Sequence, residues 1–106
     1  MHLTIILSDS AIYHDHAMLV CDLAGVNFPA SLHAFQWDGV RGEIEFAPDS
    51  DGQKPANEHV QALPAWAVEC DTIYATTHAA HIEAAKVVAA AAIAKNQPTV
   101  SGTQDL

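Results

Sequence analysis

Leu32-His33-Ala34-Phe35-Gln36-Trp37-Asp38-Gly39-Val40-Arg41-Gly42-Glu43-Ile44-Glu45-Phe46 is the stretch that decides the fold. Two runs of alternating apolar and polar residues flank Asp38-Gly39. A two-residue Asp-Gly connection suits a type I′ turn, whose twist matches that of the strands it joins. That turn sets Trp37 opposite Val40, Phe35 opposite Gly42 and His33 opposite Ile44. One face then collects Phe35, Trp37, Val40, Ile44 and Phe46. The other collects Gln36, Arg41, Glu43 and Glu45, together with Leu32 and Ala34. An apolar face opposite a polar one is the pattern of an antiparallel sheet covered on one side. A longer loop with a bulge at Gly42 is the competing arrangement.

Working toward the N-terminus, Leu3-Thr4-Ile5-Ile6-Leu7 is β-branched and apolar and reads as a strand. Ser8-Asp9-Ser10 is a turn cluster. Ala11 to His14 and Ala17 to Cys21 read as further strands, and Gly25 and Pro29 punctuate a loop from Asp22 onward. In the other direction, residues 48–63 are rich in Pro, Gly and Asp and read as a surface loop, with Val60 and Leu63 anchoring its far end. A helix begins at Pro64, where proline's missing N–H costs nothing. Nothing interrupts it before Asn96-Gln97-Pro98, although Thr76-Thr77 could divide it into two shorter helices. The expected fold is therefore α+β. A short antiparallel sheet (residues 2–47, a meander or hairpin) packs on a long C-terminal helix (64–96). Together these form one domain over residues 1–97, followed by a disordered tail over 98–106.

Within the helix, Trp66, Cys70, Ile73, Thr77, Ala80, Ala84, Val87, Ala91 and Ala94 recur at alternating steps of four and three. That is a heptad seam. Its first third carries large side chains and is expected to pack on the sheet, with Trp66 and Ile73 joining Phe35, Trp37, Ile44 and Phe46 in the core. The remainder, Ala80, Ala84, Val87, Ala91 and Ala94, is small and is expected to meet another helix, in a second copy of the chain or in a partner protein.

Composition narrows the function. Four basic residues face thirteen acidic ones, a formal charge of −9. Such a surface repels phosphate backbones and anionic lipid, so neither nucleic acid nor membrane is an expected partner. The acids are scattered, unlike the dense rows of a DNA mimic, although an acidic inhibitor of a host protein is a second reading. The opening residues lack a basic signal-peptide n-region, so the chain is not expected to be secreted. In a reducing compartment Cys21 and Cys70 are expected to stay free thiols.

Seven histidines raise a metal-binding module as another alternative. His14 and His16 are one residue apart, and His78 and His81 are helical neighbours with Glu83 nearby. A metal needs three or four converging ligands, and neither pair supplies them alone. There is no G-x-S-x-G elbow and no glycine-rich phosphate loop. Cys70 falls on the buried seam, and Glu43 and Glu45 share a wet strand face. No catalytic residue, metal or cofactor is expected.

Ala34 to Phe46, and then Leu63-Pro64-Ala65-Trp66-Ala67, resemble a hairpin and an "LPAWA" segment found in small tail-associated proteins of tailed bacteriophages and prophages. The opening Met1 to Ile6 and Ser8 to Tyr13 are similar to their N-terminus. The resemblance covers residues 1–75 and implies a role in tail structure or tail-fibre assembly, in the host cytoplasm or the virion. It implies a tail or tail-fibre protein as partner and carries no catalytic residues. The alanine-rich helix beyond Tyr74 lies outside it.

Overall fold

The computed structural model describes residues 1–96, with side chains as far as Ala91. The described residues contain strands β1 (Leu3–Ile6), β2 (Ala11–His14), β3 (Ala17–Val20), β4 (Leu32–Trp37), β5 (Gly42–Phe46) and β6 (Glu58–Val60), a 3-10 turn (Leu7–Asp9) between β1 and β2, and one α-helix, α1 (Ala65–Asn96). All neighbouring strands are antiparallel, in the order β3-β2-β1-β4-β5-β6. Two three-stranded meanders thus lie side by side, joined where β1 meets β4. The sheet is open, with β3 and β6 as its edges. The tail at 98–106 lies outside the described residues.

The central hairpin departs from the two-residue turn. Trp37 pairs with Gly42 and Phe35 with Ile44, so Asp38 to Arg41 form a four-residue connection. The cause is the Asp38 carboxylate. Its Oδ1 accepts the backbone N–H groups of Val40 and Arg41, each at 2.8 Å, and the Asp38 N–H donates to the Arg41 carbonyl at 3.0 Å. These bonds stabilise a local turn that competes with type I′ geometry. The slip is two residues, so strand parity survives and Ile44 still faces the core. Val40 does not; it sits in the loop tip, exposed. Leu32 is also moved. The ladder shifts register between Leu32 and Ala34, and this bulge turns Leu32 into the core. The bulge is therefore at His33 rather than Gly42.

β6 adds a strand within the stretch read as loop, pairing Val60 with Gly42 and His59 with Glu43. The loop after β3 contributes to the core as well, burying Leu23 and Val26.

The core lies between one sheet face and the start of α1. Leu3, Ile5, Ile12 and Phe35 are fully buried, with Ile44 and Phe46 beside them. Each such side chain contributes about 1.5–3 kcal/mol by leaving water. Trp37, Trp66 and Ile73 are half-buried and pack against this cluster. Helix α1 is continuous through Thr76-Thr77. Its 32 residues span about 48 Å at 1.5 Å per residue, far more than the sheet can cover. The molecule measures 70 × 31 × 21 Å, with a radius of gyration of 20.7 Å. A compact chain of this length would have about 13 Å.

Candidate interaction surface

The first turns of α1 are fixed by aromatic packing. The Trp66 ring meets Phe35 edge-on at 5.0 Å and Phe28 at 5.9 Å. Ala67 and Cys70 are fully buried beneath the helix. At the third turn, the Tyr74 hydroxyl donates to the Ala17 carbonyl at 3.0 Å, anchoring α1 to β3. The helix thus begins over β4 and leaves the sheet at the β2–β3 side.

A polar column marks the point of departure. The His14 ring stacks on Tyr74 at 5.4 Å, and Tyr74 stacks on His78 at 6.1 Å. His14 also lies 3.7 Å from both Asp71 and Asp15 carboxylates. Asp15 occupies the β2–β3 turn with φ of 57°. Its carboxylate accepts the His2 N–H at 2.9 Å, and that bond, more than any other influence, holds the carboxyl below its ordinary range. Of these contacts, those of His14 with Asp71 and Tyr74 join α1 to β2.

Beyond them, as far as Ala91, the helix has no neighbour among the described residues. Thr77 is its last half-buried residue, and every side chain from His78 to Ala91 is exposed. Of the expected seam, Trp66, Cys70 and Ile73 pack against the core, as their size implied, and Thr77 is half-buried. Ala80, Ala84, Val87 and Ala91 stand in solvent; the side chain of Ala94 lies outside the described residues. Ile82 at 42%, Val87 at 66% and Val88 at 68% exposure add branched side chains at positions that the seam only partly included. The signal for Ile82 and Val88 was their size among alanines. The charged pair on this arm is Lys86 with Glu83, at 3.4 Å.

The helix-free face of the sheet is shallower ground. A cavity of about 280 Å³ is lined by His2, Trp37, Asp38, Arg41, Glu43 and His59 among others. Asp38 is held below the ordinary carboxyl range by its bonds from Arg41 and Val40. His59 and Asn57 both approach the Glu43 carboxylate, at 3.5 and 2.9 Å. Donors thus engage both the Asp38 and the Glu43 carboxylates.

Cys70 is buried, and desolvation above all, with Glu69 adding to it, pushes its thiol up to about 12. It stays protonated and unreactive at neutral pH. Cys21 is buried and free as well. Among the described residues no three His, Cys, Asp or Glu side chains converge as a metal site. Nor is any described helix long and apolar enough to cross a membrane. Comparison of the chain with protein-family models, curated proteins and solved structures gave no match.

Proposed function

We propose that this chain is a non-catalytic assembly or structural protein, associated with the tail of a bacteriophage or prophage, that works by protein–protein contact. The sheet and the first three turns of α1 form its base. The rest of α1 is an arm that docks on a tail or tail-fibre protein. One observation carries the reading: from His78 to Ala91 every side chain is exposed, Ile82, Val87 and Val88 among them. Exposed apolar side chains on a helix that has no neighbour among the described residues suit contact with another chain; at 3.6 residues per turn Ile82, Val87 and Val88 point to different sides of the arm, so the partner would enclose the arm rather than meet one stripe. The resemblance of residues 1–75 to tail-associated proteins supplies the setting.

The test is the triple substitution I82Q/V87Q/V88Q, made in the phage or prophage that encodes the chain. The purified variant is expected to melt like the parent, while the yield of functional tails collapses. Normal tail yield from the variant would remove the arm from the account.

A further inference from the structure

The two edges of the sheet are built differently. β6 is three residues long and carries Glu58 and His59, both exposed. β3 reads Ala17-Met18-Leu19-Val20, with no charge, no proline and no bulge, which are the usual devices that keep a sheet edge from pairing. Met18 and Val20 are 47% and 63% exposed on the helix-free face, and α1 meets this strand from the other face, through the Tyr74 bond to the Ala17 carbonyl.

Its hydrogen-bonding phase follows from two bonds. Cys21 N–H donates to the Ser10 carbonyl at 2.8 Å, and Asp15 N–H donates to the His2 carbonyl at 2.7 Å. Bonded pairs alternate along an antiparallel ladder. With Ser10–Cys21 a bonded pair, Ile12–Leu19 and His14–Ala17 are bonded too. The N–H and C=O groups of Met18 and Val20 therefore point outward, away from β2.

We infer that β3 pairs with β3 of a second copy of this chain about a two-fold axis at Leu19, joining two sheets into one. In that register Met18 bonds Val20 of the partner subunit and Val20 bonds Met18 of the partner subunit, two N–H···O bonds at each pair. All four outward groups of each edge are satisfied. Continued past both ends of the strand, the same register would bring His16, in the β2–β3 turn, opposite Asp22 of the partner subunit, twice by symmetry; within the chain the Asp22 Oδ1 accepts the Ala24 N–H at 3.1 Å. An imidazole always has an N–H to donate or a charge to offer, so a carboxylate is a suitable neighbour. The edge is thus self-complementary in hydrogen bonding, in apolar side chains and in the residues that flank them. Such isologous pairing closes at two subunits and does not propagate. This inference does not depend on the arm.

Sedimentation equilibrium on the full chain tests it, across the micromolar range. The parent is expected to approach twice the monomer mass. Val20→Pro removes an outward donor at a position where an edge strand tolerates proline, and is expected to be a folded monomer with unchanged circular dichroism. H16E is expected to weaken the dimer at least tenfold, and adding D22K to restore it by exchanging the charges. A parent that stays monomeric overturns the proposal. So does a dimer that survives Val20→Pro, or one lost only in I82Q/V87Q/V88Q, because the contact would then be the arm. A H16E/D22K dimer no tighter than H16E alone overturns the register.

Discussion

A methyl group at position 42 would lie 2.9 Å from two atoms of the Phe35 ring and 3.0 Å from Trp37. Gly42 is therefore the floor on which both rings rest, opposite Trp37 on one side and Val60 on the other. Gly42→Ala is expected to destabilise the protein by about 1–3 kcal/mol, the usual cost of overfilling a packed site; chemical denaturation measures it. Asp38 supports a prediction of a different kind. Its carboxyl titrates below the ordinary 3.8 because two backbone N–H groups bond the charged form. A group lowered on folding stabilises the fold above its unfolded value, and that contribution fades as pH falls through the folded value. Asp38→Asn is thus expected to melt below the parent at neutral pH. The gap should close as pH falls below 3.8, which melting curves at several pH values would show. The identity of the turn residue was legible in the sequence, but the length of the turn was not. Asp-Gly is compatible with a type I′ turn and with a carboxylate-capped four-residue loop, and only the bonds to Val40 and Arg41 distinguish them.

At the level of elements, what could be read depended on how much one pattern controlled. Alternation fixed which faces Phe35, Trp37, Ile44 and Phe46 occupy, because a two-residue slip leaves parity unchanged. It failed for Leu32, where the bulge at His33 resets the phase, and for β6, where Glu58-His59-Val60 is too short to alternate visibly. The bounds of the helix were legible, since alanine, glutamate and lysine favour it and no glycine or proline interrupts it; its continuity through Thr76-Thr77 was not, because β-branched polar residues lower propensity there. Side-chain size along the seam also marked where the sheet ends, between Ile73 and Ala80. The arm's partner was not legible, because alanines satisfy many packing templates. The stability of the arm follows from this architecture. Its helix is nucleated by the docked turns, which removes the main cost of forming an isolated helix. Glutamine is a better helix former than valine or isoleucine, and Ile82, Val87 and Val88 are all exposed. The melting temperature of I82Q/V87Q/V88Q should therefore hold, with any change within about 0.5 kcal/mol. Loss of tail assembly in this variant would then report contact rather than unfolding.

For the whole molecule, the decisive property is an uneven division of labour along one chain. Residues 1–77 contain the buried core, and the helix from His78 to Ala91 adds exposed surface without adding to it. A helix extended this far from its own domain loses the packing that ordinarily stabilises helices, and docking on another chain would restore it. Pairing through β3 would place two such arms on one joined sheet. The central claim is that the arm contacts a tail protein, and the most direct measurement is site-specific photocrosslinking during tail assembly, with the photoreactive residue at Val87. The account predicts a covalent adduct with a tail or tail-fibre protein, and none when the same group replaces Gln53 in the surface loop. No adduct from position 87, or equal adducts from both positions, would contradict it.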